Sequence, residues 1–195
     1  SGDGIRVWDA ETGGSLFVIA VGLKVLALAF FVDPETGAPR LACGCDDKKV
    51  RIYDPVAGGE ALVVLEGHTD YVRTLTVFED PATGGLRLAS GSDDRSVRIW
   101  DLVAGGAALF VLEGHTNWVK ALTAFADPAT GEPRLASGSR DKTLRVWDAS
   151  TGVALQVVPF DDVVEVLTVG SDMSGLFVAF GKRWGELRIE SGTTP

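Results

Sequence analysis

The chain has 195 residues, 46% of them hydrophobic, and a formal net charge of −9. It is long enough to bury a sizeable interior. Its acidity argues against a phosphate-tracking role, because nucleic-acid binding draws most of its affinity from clustered Lys and Arg. No stretch approaches the roughly 18 apolar residues of a membrane-crossing helix, and the most apolar one, residues 16–32, is interrupted by Lys24 and alternates like two strands. No basic segment leading into an apolar run and cleavage site opens the sequence, so no signal peptide is predicted.

Short strands are predicted from the first residues onward. Ile5–Asp9 alternates, 10–14 turns, and Leu16–Val21 forms a second strand. A four-strand meander follows: Val25–Phe31, the turn DPETGAP, Arg40–Cys45, a tight turn at Asp46-Asp47, Val50–Asp54, the turn PVAGG, and Ala61–Leu65. The same unit recurs from Tyr71 to Leu112 and from Trp118 to Val158, with DPATGG and DPATGE as matching turns. Three further strands fit between Val163 and Glu190, with SDMSG and KRWG as their turns. The predicted organisation is a single all-β array with units at 1–22, 23–66, 67–113, 114–159 and 160–195, the first and last partial. Cys43 and Cys45 lie two apart on one predicted strand, on one face and at or beyond disulfide reach, which predicts free thiols and a reducing, cytoplasmic compartment.

The period is explicit. PRLACGCDDKKVRIYD, LRLASGSDDRSVRIWD and PRLASGSRDKTLRVWD end at Asp54, Asp101 and Asp148, 47 residues apart, and SGDGIRVWD and LFVAFGKRWGELRIE echo them at either end. Four-stranded units of this kind bury both faces only by stacking on their neighbours around an axis. With Gly67-His68, Gly114-His115, the LASGS serines, the turn aspartates and the terminal Trp-Asp pairs, the chain resembles the WD-repeat family of β-propellers. The resemblance implies three complete blades with partial blades at both ends. The strands exceed four blades by one. That count suggests a segment of a longer ring, or a unit that completes its ring with another chain.

The resemblance further implies a hydrogen-bonded chain in each of two blades: His68, Ser90, Asp94 and Trp100, then His115, Ser137, Asp141 and Trp147. The chemistry is self-consistent, since a carboxylate takes one imidazole N–H, the other nitrogen takes the hydroxyl, and the hydroxyl oxygen accepts the indole N–H. A Ser-His-Asp hydrolase triad is the weaker reading. The set occurs twice, the Trp uses the serine, and no nucleophile elbow accompanies it. In the second unit Val21, Cys43 and Tyr53 stand in the His, Ser and Trp places and only Asp47 remains. In the last, Phe160, Ala179, Arg183 and Ile189 stand in all four. Both are expected to hold by apolar packing.

With both histidines committed, no catalytic residue, cofactor or metal site is predicted; the Cys pair lacks further ligands for zinc. The family pattern places Lys24, Tyr71, Trp118, Asp46, Asp93, Arg140 and Lys182 on the face used for partners, flanked by Thr69 and Thr116. The first aspartate of each Asp-Asp pair is expected to be solvated. The repeating Arg51, Arg98 and Arg145 are expected to cover apolar strand with solvated heads. The expected function is a non-catalytic protein-interaction scaffold, with other proteins as partners and neither nucleic acid nor membrane. The alternatives are an incomplete propeller that tiles or self-associates through open edges and, less favoured, an enzyme using the central channel.

Overall fold

A computed structural model describes residues 4–80, 83–169 and 176–187. All regular structure in them is β, and none of it is a helix able to cross a membrane. The first sheet is a hairpin of β1 (Ile5–Trp8) and β2 (Ser15–Ile19). The second holds β3 (Val25–Val32), β4 (Pro39–Cys45), β5 (Val50–Tyr53) and β6 (Val63–Leu65). The third holds β7 (Val72–Asp80), β8 (Gly85–Ser92), β9 (Val97–Asp101) and β10 (Phe110–Leu112). The fourth holds β11 (Val119–Ala126), β12 (Pro133–Ser139), β13 (Thr143–Asp148) and β14 (Ala154–Pro159). The fifth holds β15 (Val164–Val169), β16 (Leu176–Phe180) and β17 (Arg183–Leu187). Each is an antiparallel meander in sequence order. The expected SDMSG turn, Ile189 and residues 81–82 of DPATGG lie outside the described residues.

The sheets are blades because both faces of the middle ones are apolar and must be covered. Four clusters do this, each joining consecutive sheets: Ile5 and Ile19 with Leu41 and Tyr53, Val50 and Ile52 with Val72 and Trp100, Val97 and Ile99 with Leu122 and Trp147, and Leu144 and Val146 with Val164 and Leu176. Among the described residues no cluster joins the last sheet back to the first, so the molecule is an open arc of a propeller.

One contact repeats at three of the four steps. The valine opening a blade's innermost strand seats on a glycine in the second strand of the blade before. A Cβ on Gly44 would lie 2.8 Å from Val72 Cγ1, one on Gly91 2.6 Å from Val119 Cγ1, and one on Gly138 would collide with Val164. On the opposite edge of each complete blade an arginine ties two turns together. Arg40 reaches Asp33 and Asp54, Arg87 reaches Asp80 and Asp101, and Arg134 reaches Asp127 and Asp148. In the three complete blades the aspartate of the Trp-Asp or Tyr-Asp pair thus caps the next turn through its Oδ1 and anchors this clamp.

The last sheet departs from the expected alignment. The turn after β16 is Gly181-Lys182, and Arg183, Trp184 and Gly185 of the expected KRWG turn are strand residues, Arg183 pairing with Phe180. Val178, 2% exposed, rather than Ala179, faces the place that Ser137 holds one blade earlier, since Val178 pairs with Leu167 as Ser137 pairs with Leu122. Without a turn aspartate to hold a wider loop, the chain takes a two-residue hairpin with Gly181 at φ 57°; β16 keeps the register on β15 that the other blades have, and the alignment expected from sequence is off by one residue, which exchanges the faces assigned to β16.

Gly91 has ordinary backbone angles, so only its neighbours forbid a side chain. Gly91→Val is expected to lower unfolding free energy by about 1–3 kcal/mol through overpacking, read as a lower denaturant midpoint with an unchanged slope.

Candidate interaction face and its bracing

The turns between second and third strands, and the segments entering each innermost strand, meet on one face. Backbone N–H groups of Asp46, Asp93 and Arg140 donate to the carbonyls of Lys24, Tyr71 and Trp118 at 3.1, 2.9 and 2.9 Å. In the last sheet the same bond runs from Gly181 to Val163, which puts Lys182 one residue beyond the place expected for it.

Beneath this face lie two matching side-chain networks. His68 Nδ1 is 2.7 Å from Asp94 Oδ2, its Nε2 is 2.7 Å from Ser90 Oγ, and Trp100 Nε1 donates to the same Oγ at 2.8 Å. His115, Asp141, Ser137 and Trp147 repeat this with all three distances at 2.8 Å. Bonding to a carboxylate makes Nδ1 the protonated nitrogen, leaving Nε2 to accept the serine O–H. Each carboxylate has further donors. The Thr69 N–H shares Asp94 Oδ2, while Ser96 gives its N–H and O–H to Oδ1; Thr116 and Thr143 do the same for Asp141. Ser92 and Ser139 add a bridge, donating to the Asp70 and Asn117 carbonyls and accepting from the N–H of Asp94 and Asp141. Thr69 and Thr116 are therefore part of the bracing through their backbone, with exposed side chains.

Burial opposes the charge on Asp94, but hydrogen bonds from His68, Ser96 and Thr69 outweigh it and hold the carboxyl well below its ordinary range. At Asp141 burial is likewise outweighed, by Thr143, Thr116 and His115, and the value falls to about 2. Burial lowers the His115 value despite Asp141 beside it.

Gly67 and Gly114, ahead of the two histidines, make room for an arginine. Their missing Cβ atoms would lie 2.7 and 2.6 Å from Nη1 of Arg98 and Arg145, whose Nε atoms are buried without a partner among the described residues. In the second sheet Ala20 precedes Val21, and Arg51 turns instead onto Asp47, with bonds of 3.0 and 2.6 Å. Arg51 is therefore paired with Asp47 rather than carrying the solvated head expected of it, Arg98 and Arg145 are half-buried, and the second sheet is not held by apolar contacts alone. Burial pushes the Cys43 thiol up to about 12, and both cysteines are buried and free.

The rim itself is an alternating stack. β7 carries a bulge between Val72 and Thr74 that turns Arg73 outward. Its Nε lies 3.0 and 2.9 Å from the two oxygens of Asp93, and its Nη2 2.6 Å from Oδ2. So fixed, the Arg73 guanidinium sits 5.3 Å from the Tyr71 ring centre and 5.6 Å from that of Trp118, and Arg140 covers Trp118 at 4.8 Å. Asp93 is corrected from a solvated acid to a buried one, 5% exposed and neutralised by Arg73. Tyr71 stays 41% exposed and Trp118 partly so; Lys24, Arg140 and Lys182 are exposed and Asp46 partly exposed. Ser92 and Ser139, the second serines of LASGS, were given no role from sequence, and Arg73, Ser96 and Thr143 were not singled out; Ser96 and Thr143 follow from the Ser or Thr two residues after the turn aspartate, and Arg73 depends on the bulge.

Stacked four-stranded meanders with a braced corner define a propeller-blade repeat protein. The family model for the WD domain, G-beta repeat matches residues 22–54, 59–101 and 106–148, and the chain belongs to that family. Repeats of this family are in general protein–protein interaction modules and typically non-enzymatic. The chain is similar in fold to the crystal structures of two computationally designed proteins, at 24% identity in each case. Ika8 gives a TM-score of 0.75 over 99% of this chain and 55% of that one, and Ika4 gives 0.68 over 86% and 92%. The chain therefore spans about half the length of Ika8. No curated protein sequence matches it.

Removing the shared hydroxyl with Ser137→Ala strands the Trp147 N–H and a His115 nitrogen, and is expected to cost about 1–3 kcal/mol in chemical denaturation. The unfolded chain protonates His115 near 6.5 and Asp141 near 3.8, but the folded chain only at lower pH. Unfolding then takes up protons, so the melting temperature is expected to drop as pH falls below about 6.5 and again through 3.8 towards 2, with a shallower first step in His115→Gln.

Proposed function

We propose that the protein is a non-catalytic scaffold that docks other proteins on the rim formed by Tyr71, Arg73, Trp118 and Arg140. The observation that carries this reading is the stack itself, which holds two partly exposed aromatic rings at fixed spacing by a guanidinium anchored on a buried carboxylate. Such a surface loses little side-chain freedom on binding, and rigid aromatics and arginines are the residues that dominate interface energies. Burial of Asp93 against Arg73 leaves the free charge to Arg140 on one side and Asp46 with Lys24 on the other. A protein segment bearing an acidic group beside an apolar one fits the Trp118–Arg140 end.

An enzyme would need an acid, a base or a nucleophile open to substrate. The two histidines of the chain are enclosed at 6% exposure and bonded at both ring nitrogens, which supports the non-catalytic reading. The buried free thiols favour a reducing compartment such as the cytoplasm.

Affinity capture with the wild-type chain and with Trp118→Ala and Arg140→Glu tests the assignment. Proteins retained by the wild type are expected to be lost from both variants, at unchanged melting temperature, and kept by Val56→Ser on the opposite turns. Equal retention by all four chains would overturn it.

A further inference from the structure

The third and fourth sheets meet around a phenylalanine that the second and third lack. Phe110 packs on the cluster of Ile99, Leu135 and Ala149 at that boundary, and its ring runs under the fourth sheet's turn, where a Cβ on Gly152 would lie 3.3 Å from Cδ1. One boundary earlier Val63 stands in the same place, pairing with Ile52 as Phe110 pairs with Ile99. The third sheet supplies Leu102 where the fourth has Ala149, yet a pocket of about 210 Å³ remains between the second and third sheets. Phe31 and Leu102, each 8% exposed, form its floor, Val63 and Leu86 its walls, and Leu62 and Val103, 55% and 58% exposed, its mouth.

The pocket opens on the turns opposite the rim, and the chemistry of its edge is particular to this boundary. Asp33 and Asp54 share the Arg40 guanidinium at 3.5 and 3.1 Å. Glu35 lines the same edge, exposed and outside that pairing. Alanine holds its place in both later turns of this kind, as Ala82 and Ala129, and serine stands for Val103 in the next blade, as Ser150. Three carboxylates thus face one guanidinium, and the charge that the edge lacks is a cation. The volume lies below the roughly 300–1,000 Å³ of sites for drug-sized ligands and suits a single large side chain.

We propose that this pocket receives a phenylalanine side chain from a partner protein, in a segment whose next residue is a lysine or arginine set against Glu35. The fold itself sets the occupant's apolar part, since the neighbouring boundary closes over a benzyl group at this place and here the chain supplies none. The acids set its charge. A carboxylate beside the ring would meet Glu35 and Asp33 with like sign, whereas an ammonium or guanidinium gains an ion pair there. Leu62 and Val103 flank the ring at the mouth and add apolar area removed from water. The site is apart from the rim, and a partner seated in it leaves Tyr71, Trp118 and Arg140 open.

An NMR titration of the isotope-labelled full chain with the tetrapeptide acetyl-Gly-Phe-Lys-Gly-amide is the test. The amides of Glu35, Leu62, Val63 and Val103 are expected to shift together and to saturate. Alanine in place of the peptide's phenylalanine is expected to abolish these shifts, and glutamate in place of its lysine to weaken binding by about two- to fivefold. Glu35→Ala, an exposed change that copies Ala82 and Ala129, is expected to keep the wild-type melting temperature and to bind the lysine and glutamate peptides alike. Val63→Phe, which fills the pocket as Phe110 fills the next boundary, is expected to lose binding at an unchanged or raised melting temperature. Trp118→Ala is expected to titrate as the wild type does, which separates this site from the rim. Shifts that miss these four amides, equal binding of the lysine and glutamate peptides by the wild type, full binding by folded Val63→Phe, or loss of binding in Trp118→Ala would each overturn the assignment.

Discussion

A buried carboxylate at the corner of a blade must be fully hydrogen-bonded, and much of this structure follows from how that demand is met. Asp94 and Asp141 each receive an imidazole N–H, two backbone N–H groups and a hydroxyl. These come from the segment entering the blade and from the turn between its second and third strands. One side chain therefore ties the incoming chain to the sheet it is about to join. Through the histidine the tie extends to a serine on the second strand and a tryptophan on the third. Where the histidine is absent, Asp47 draws in Arg51 instead. Where the aspartate is absent, the turn closes to two residues. Four blades thus express one electrostatic requirement in three ways: met by histidine, met by arginine, or removed together with its acid.

Stacking imposes the second constraint, and it acts between blades. A valine of one innermost strand enters the space left by a glycine of the blade before, so neighbouring sheets approach closely near the axis. The outer parts approach less closely, a Cβ on Gly152 standing 3.0 Å from Leu112 and one on Gly105 3.4 Å from Val63. Close contact at the centre and looser contact outside is the wedge geometry that bends a row of sheets into an arc. The same step accounts for the difference between Leu28 and Leu122, identical residues at matching positions, one bare and the other covered according to whether a blade precedes them.

The fold was largely legible because period, alternation and turn chemistry all carry the same message. Strands, turns and the open count were readable from residues 4–169 wherever a Gly- or Asp-bearing turn separated apolar runs. The fifth sheet was harder. Its alignment to the repeat relied on a turn aspartate that Arg183 does not supply, and sequence similarity could not show that Val178 and Ala179 had exchanged faces. The repeating His, Ser, Asp and Trp were visible as a set, but the Oδ1 partners Ser96 and Thr143 look like ordinary turn residues until the carboxylate is seen with an oxygen to fill. Asp93 and Arg73 were hidden for another reason. Adjacent acidic residues read as a solvated turn, and only the bulge after Val72 brings a guanidinium over the first of them.

The rim owes its rigidity to bracing that is complete within each blade. Neither Tyr71 nor Trp118 depends on contacts at the ends of the arc: one follows the Asp70 carbonyl held by Ser92, the other the Asn117 carbonyl held by Ser139, and Arg73 joins the two rings across the blade boundary. A surface built this way keeps its geometry whatever lies against β1 or β15. In a chain of net charge −9, the buried acid of the rim, Asp93, is neutralised in place by Arg73, which leaves the exposed Arg140 as the positive group beside Trp118.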